Sequence, residues 1–291
     1  MSTRQKNFLL IVLGVAGFVT YCLWQWQPTT THTLSITALN VGQGDSIYIR
    51  TPQGNDILVD GGPDRSVLYQ LGEAMPPYDH TLELVISTHP DSDHIAGLGE
   101  LPERYTIGHL IISGAPKDTA AAAAVQAWPE RYGIEVWQAY RGWRLDIEDG
   151  VWLEFLNPAD PAHVEPETND NSVSIILHYK DATALMMGDV SGRIENEIVA
   201  SYPEFGQSSM DIDLLKVSHH GSRYSTTPEL LAATTPEVAL ISVGAQNKYG
   251  HPTFATLKRL QQSGAVVFRT DQQGRVTCTT PGDHFTCTTQ K

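Results

Sequence analysis

Short apolar or alternating runs begin at residue 34 and recur to the end of the chain. LSITALN (34–40), DSIYIRT (45–51) and DILVDGG (56–62) predict three strands separated by glycine-containing turns, with TPQGND as a hairpin turn. SVLYQLGEAM has helical spacing, and LELVIST (82–88) predicts a buried strand. KDTAAAAAVQAWPERYG predicts one alanine-rich helix that stops near Pro129 and Gly133. IEVWQAY, WRLDIED and VWLEFLNP predict strands, and the acidic loop ADPAHVEPETNDN (159–171) follows them. SVSIILHY and TALMMGD predict a second hairpin, GRIENEIVASY a helix, and DIDLLKVSHHGS a strand ending in two histidines. The rest alternates: TPELLAATT and TFATLKRLQQSG as helices, EVALISVG, AVVFRT, RVTCTT and HFTCTT as strands. Long β runs in each half, with helices between them, predict an α/β (α+β) fold of two sheets with helices outside. Residues 34–291 carry no sharp boundary and no repeat period.

The first 33 residues follow a different pattern. FLLIVLGVAGFVTYCLW (8–24) is a run of 17 residues without a charge, preceded by Arg4 and Lys6 and followed by no charged residue until Asp45. A span of about 17–25 apolar residues crosses a bilayer, and the basic end stays cytoplasmic. Trp24 and Trp26 sit where interfacial aromatics belong. Residues 1–26 therefore read as a cytoplasmic stub and transmembrane anchor, 27–33 (QPTTTHT) as a linker, and 34–291 as a domain outside the cytoplasmic membrane. A cleaved signal peptide is the rival reading. The run is followed by no A-x-A site, and VTYC places the large Tyr21 where a lipoprotein box has a small residue.

Composition narrows the function. The chain has 291 residues, 41% hydrophobic, and a net charge of −14. That charge argues against a protein held to nucleic acid by a broad basic surface, but not against a nuclease whose local positive charge comes from metal ions. Of three cysteines, Cys278 and Cys287 fall opposite one another if residues 281–284 form a hairpin tip. In an oxidising compartment they would be a disulfide; otherwise they are two free thiols.

The densest chemistry lies in ISTHPDSDHIAGL (86–98), where His89, Asp91, Asp93 and His94 occupy six positions after an apolar strand. Unpaired, these groups are costly to pack together; imidazole and carboxylate are ligands for zinc- or manganese-class ions. Asp60 in ILVDGG, Asp189 in LMMGDV, and His219 and His220 in LLKVSHHGS also stand where strands end. Strand ends gather at one edge of such folds, where sites form. GQGD (42–45) has no helix signal after it and reads as a tight turn beside that edge, not as a phosphate loop.

These residues, with LNVGQGDSIYI, DGG, NDNS, YGHP and RTDQQGRV, resemble the metallo-β-lactamase superfamily. Asp91 replaces the second histidine of the usual HxHxDH motif, which makes the chain similar to the C-terminal hydrolase domain of ComEC-type DNA-uptake competence proteins over residues 34–280. The resemblance implies a four-layer αββα sandwich with two divalent metal ions, manganese or zinc. It implies that His89 and Asp91 bind one ion, that Asp93, His94 and a histidine of the 219/220 pair bind the second, and that Asp189 bridges. Asp60 would orient ligands or the bridging water. Many members supply a further histidine between the second motif and the bridging aspartate; here the histidines of that interval are His163, in the acidic loop, and His178, within a strand, and the resemblance to ComEC-type chains implies that Asn169, Asp170 or Asn171, or a water, takes that place. In the implied reaction, two ions about 3.5–4 Å apart share a hydroxide that attacks a DNA phosphodiester in line. Asp93 and Asp60 would then belong to the catalytic set. His251 is a candidate phosphate contact or leaving-group acid, with Lys248, Tyr249, Ser222 and Asn171 as substrate contacts, and Arg223 and Ser225 nearby. Expected partners are single- or double-stranded DNA, the membrane through residues 8–24, and a separate DNA-uptake channel protein. An envelope phosphodiesterase, a small-ester hydrolase and a non-catalytic docking domain are the competing readings.

Overall fold

The computed structural model describes residues 3–25, 33–202 and 211–291. The chain forms two units, Met1–Thr31 and His32–Lys291. In the first, α1 (Thr3–Gln25) is one continuous helix over the charge-free run, with Leu10, Leu13, Val15, Phe18 and Tyr21 exposed. Among the described residues, no helix is long and apolar enough to cross a membrane. The side chain of Trp24, Trp26 as a whole, and linker residues 27–32 lie outside the described residues.

In the second unit, β1 (Leu34–Ala38), β2 (Ile47–Arg50) and β3 (Asp56–Val59) form an antiparallel meander, followed by α2 (Ser66–Ala74) and β4 (Thr81–Ser87). A single turn, α3 (Ser92–Ile95), leads into β5 (Thr106–Ile112), a strand within YTIGHLIISG beyond those the sequence pattern predicts. The alanine-rich segment is two helices, not one: α4 (Ala120–Gln126) and α5 (Trp128–Tyr132). Pro129 stops nothing; it sits in the first turn of α5, where a missing N–H leaves no bond unmade. The left-handed Gly133 ends the pair. β6 (Glu135–Gln138), β7 (Arg144–Glu148), β8 (Val151–Asn157), β9 (Ser174–Tyr179) and β10 (Ala182–Met186) follow, then α6 (Gly192–Ser201) and β11 (Leu214–Lys216). The chain continues through α7 (Pro228–Thr234), β12 (Val238–Ile241), α8 (Phe254–Ser263), β13 (Val266–Arg269) and α9 (Thr270–Gln273) to β14 (Val276–Thr280) and β15 (Thr286–Thr289).

The strands make two sheets, ordered β15-β14-β1-β2-β3-β4-β5-β6 and β13-β12-β11-β10-β9-β8-β7. Between them lies a core of inward residues from both, including Ile36, Ile49, Val59, Ile86, Leu153, Phe155, Ile175 and Leu177. A second core, around Leu71, Leu82, Leu98 and Trp128, packs α2, α4 and α5 on the outer face of the first sheet. A third, around Ile176, Leu185, Ile194, Leu231 and Leu260, packs α6, α7 and α8 on the other. The result is a helix–sheet–sheet–helix sandwich. Each sheet has a parallel half, β3-β4-β5-β6 and β10-β11-β12-β13. Parallel strands end on the same side, so each half brings its strand ends to one edge. Cys278 pairs with Cys287 across β14 and β15, and the two are joined as a disulfide.

Candidate metal centre

The two parallel halves deliver their chemistry from the carboxyl ends of β3, β4, β10 and β11. After β4, backbone bonds from His94 N and Ile95 N to Asp91 O close the one-turn helix α3. That turn carries Asp91, Asp93 and His94 around a small arc. Asp91 occupies the N-cap position but makes no capping bond; its carboxylate lines the pocket, where Lys117 Nζ donates to Oδ1. Asp60, His219 and His220 adopt left-handed φ values of 59°, 48° and 52°. Each costs about 1–3 kcal/mol for a residue with a Cβ. Strain of this kind clusters where side-chain aim matters.

His89, His94 and His220 are buried, and among the described residues each has its Nε2 without a hydrogen-bond partner. Their Nδ1 atoms are all engaged. His94 Nδ1 donates to Asp60 Oδ2 at 2.7 Å, and His220 Nδ1 to the Ser242 carbonyl at 3.0 Å, with Asp45 Oδ1 at 3.2 Å. His89 Nδ1 lies 3.0 Å from Thr88 Oγ1 and 3.3 Å from Ser172 Oγ. Thr88 Oγ1 donates to Asp60 Oδ2, and Ser172 Oγ to the Asn169 carbonyl. Both hydroxyls are therefore left as acceptors toward His89. Three imidazoles thus have their tautomer fixed from behind and turn an Nε2 forward, the arrangement that metal-ligating histidines use.

The carboxylates complete the set. His94 Nε2 lies 3.3 Å from Asp189 Oδ2, and His220 Nε2 lies 3.4 Å from both Asp189 Oδ2 and Asp93 Oδ2. Two ligands at about 2.0–2.1 Å from one tetrahedral ion stand about 3.3–3.4 Å apart, so these atoms match the spacing an ion requires. Asp189 Oδ1 is buried and, among the described residues, unpaired as well. Among the described residues, ligand atoms of His89–His94–Asp189, of Asp93–His94–His220 and of Asp45–Asp189–His220 lie within 4.8 Å of one another. Asp91 is looser, with Oδ1 at 4.0 Å from His89 Nε2. His219, partly exposed, has Nε2 3.8 Å from Asp189 Oδ2, so the geometry favours His220 of the pair.

The ionisation states express the crowding. Burial pulls His94 and His220 down, but the carboxylates around them win: Asp189 and Asp60 hold His94 well above the usual imidazole range, and Asp189 and Asp45 raise His220 to about 10. Burial and neighbouring His94 push His89 down to about 3. Burial raises Asp189, yet His220 and His94 bring it well below the carboxylate range. Protons on His94 and His220 would compete with an ion for these nitrogens.

A cavity of about 140 Å³ opens over the cluster, lined by Gln43, Asp91, Asp93, Asn169, Asp189, His219, His220, Tyr249 and His251. The structure brings Tyr249 and His251 of the expected substrate contacts to this lining, leaves Lys248 exposed beside Tyr249, and buries Ser222 and Asn171 in other roles. Ser222 is buried, with its Oγ accepting from Tyr224 N at 3.3 Å. Asn171 is a staple of the acidic loop: its amide accepts from Glu165 N and donates to the carbonyls of Glu165 and Glu167. Lys248 is exposed, its Nζ 5.3 Å from the Tyr249 ring centre. Ser225 is buried on the Val190 carbonyl. Of the NDNS loop, it is Asn169 that reaches the cavity.

Sequence reasoning missed two residues. Asp45, last of GQGD, is buried with Oδ2 accepting from Lys216 Nζ at 2.6 Å and Oδ1 beside His220. Lys216 is itself buried, and its ammonium also donates to the Val217 carbonyl. The signal was a lysine inside the apolar run LLKV, since a lysine is almost never buried without a partner. Gly44 explains the spacing of GQGD: a Cβ there would stand 2.0 Å from the Asp93 carbonyl oxygen, so only glycine lets this loop reach α3.

The fold and the cluster define a class, and the comparisons agree. The metallo-beta-lactamase superfamily matches residues 39–245, and the chain belongs to that superfamily. Its curated relatives include competence proteins. It is 28% identical over 296 residues to ComE operon protein 3 of Bacillus subtilis, across 94% of this chain and 36% of that protein. It is 28% identical over 271 residues to competence protein ComA of Neisseria gonorrhoeae, across 90% and 34%. The chain thus spans about a third of the length of these relatives. Among solved structures, the metallo-beta-lactamase fold protein YhfI from Bacillus subtilis shares the fold, with a TM-score of 0.51 at 15% identity, covering 81% of this chain and 95% of that one.

Proposed function

We propose that residues 34–291 are a metal-dependent nuclease that hydrolyses DNA phosphodiesters outside the cytoplasmic membrane. The observation that carries the reading is the convergence of three unpaired Nε2 atoms with Asp93 and Asp189 at ion-binding spacing. His89, Asp91 and Asp189 would hold one divalent ion, and Asp93, His94, His220 and Asp189 a second, manganese or zinc. Such ions supply Lewis acidity and lower the pKa of a water. Asp60 and Asp45 keep His94 and His220 aimed. Burial and the neighbouring His219 and His220 bring His251 down to about 4, so it meets a phosphate as a neutral hydrogen-bonding group at pH 7. Tyr249, 55% exposed on the cavity lining, offers a face on which a base can stack, and Lys248 beside it a phosphate contact.

The similarity to competence proteins supports DNA as the substrate and a role in uptake, with a separate channel protein as partner. The Cys278–Cys287 disulfide supports an oxidising compartment. The charge-free run 8–24, behind Arg4 and Lys6, supports a single-pass anchor with the domain on the far side. The net charge of −14 favours a second reading, an envelope phosphodiesterase acting on small substrates.

The test is cleavage of single- and double-stranded DNA by metal-stripped protein resupplied with manganese or zinc, beside Asp93→Ala. Metal-dependent cleavage that the variant lacks is expected. Intact DNA with confirmed metal occupancy would sink the nuclease reading, and hydrolysis of a phosphodiester dye alone would select the second.

A further inference from the structure

Lys117 lies in the segment between β5 and α4, and its Nζ donates to Asp91 Oδ1 at 2.6 Å. That oxygen is the one that faces the unpaired Nε2 of His89, 4.0 Å away. Both side chains are about 30% exposed, so the pair sits at the mouth of the cluster and not in its floor. Asp91 is free to make this bond because it does not cap α3. The opposite end of the cluster is built differently. There Asp93 Oδ2 faces His220 Nε2 at 3.4 Å, and the ammonium behind that end, Lys216, is engaged by Asp45 and the Val217 carbonyl.

We infer that Lys117 is a resident cation that makes the two ends of the cluster unequal toward divalent ions. The end formed by Asp93, His94, His220 and Asp189 binds tightly; the end formed by His89 and Asp91 binds weakly, because an ion there shares a ligand oxygen with an ammonium. Two physical terms act in the same direction. The ion must take Oδ1 from a charge-assisted hydrogen bond. It must also tolerate a positive charge one hydrogen bond from its own ligand. The wider 4.0 Å spacing on this side, against 3.3–3.4 Å on the other, fits the same asymmetry. Lys117 is thus a positioning residue that sets the occupancy of one ion position.

The inference rests on the metal reading above, and calorimetric titration of the stripped full-length chain with manganese separates the two. Wild type should show a tight class of about one ion and a second class at least tenfold weaker. Lys117→Met should tighten the weak class tenfold or more and leave the tight class within twofold; Lys117→Arg, which retains the charge, should keep it weak. Asp91→Asn, tested in parallel should Lys117→Met not fold, should abolish the weak class alone. Two equal classes in wild type, or a weak class that Lys117→Met leaves unchanged or loosens, would overturn the inference while leaving the metal reading intact. No bound ion in wild type would overturn both.

Discussion

Asp56 and Asp60 flank one short strand. Asp56 opens β3, Asp60 follows its last residue, and both are fully buried. At Asp56 the hydrogen bonds close on themselves. Oδ1 accepts from Tyr48 OH at 2.6 Å, Oδ2 from Arg50 Nη1 at 2.5 Å, and the amide donates to Glu83 Oε2. Arg50 reaches on to Asp79 at 3.2 Å, toward solvent. At Asp60 the bonds lead onward. Thr88 N and Oγ1 and His94 Nδ1 saturate the carboxylate, and the far nitrogen of His94 is left unpaired over the cavity. The backbone differs too, extended at Asp56 and left-handed at Asp60. A buried carboxylate is therefore not a mark of function. The mark is a polar network that ends in an unmet group, since buried polar atoms are otherwise almost always paired. The end of the strand decides which kind forms, because the β3–β4 parallel pairing places the carboxyl ends together at the cavity edge.

The comparison breaks most sharply with Asp189→Ala at the open end. Hydrolysis should fall to background and ion binding should weaken at both positions, as read by elemental analysis, while the fold survives by circular dichroism. Asp56→Ala should do the opposite. It strands the buried Tyr48 hydroxyl and removes the near partner of Arg50, costing about 3 kcal/mol in urea denaturation, with activity per folded molecule unchanged. A loss of activity beyond the loss of folded protein would show that the closed end is not merely structural. Asp60→Asn falls between these. It keeps the shape but weakens the hold on His94 Nδ1, and ion affinity should drop about 10–100-fold. An unchanged affinity would mean that His94 needs no brace.

Much of the open end was legible in the sequence. His89, Asp91, Asp93 and His94 follow an apolar run, and Asp60, Asp189 and His220 each end one, so one rule about strand ends assembled the cluster. The strands were legible for the same reason, since buried strands read as apolar runs. β5 escaped because a glycine and a histidine interrupt TIGHLII. The alanine-rich helix was read as one because alanine has high propensity everywhere and marks no break at Ala127. Ser222 and Asn171 had the right chemistry and the wrong depth: hydrogen-bonding residues serve the backbone as readily as a substrate, and spacing does not tell which. The choice between His219 and His220 depended on two consecutive left-handed residues, which no local pattern reports.

The smallest effect concerns acid. Asp45 is buried, which by itself would raise its pKa, but Lys216 and His220 bring it well below its ordinary value of 3.8. A carboxylate held lower in the folded state adds stability above its unfolded pKa and loses it as pH falls through the folded one. The metal-free protein should therefore lose melting temperature progressively below about pH 4. Lys216→Met should flatten that slope, because it removes the main cation that keeps Asp45 ionised, and should lower the melting temperature at pH 7 by leaving a buried carboxylate short of charge. Thermal melts of stripped wild type and variant across pH 3–7 would read both effects. Parallel curves would mean that the acid response arises elsewhere in the cluster, at Asp189 or Asp93, whose carboxylates are also held low by the histidines around them. The open end would then depend on its histidines for stability as well as for chemistry, and the Asp45–Lys216 pair would serve only to aim His220.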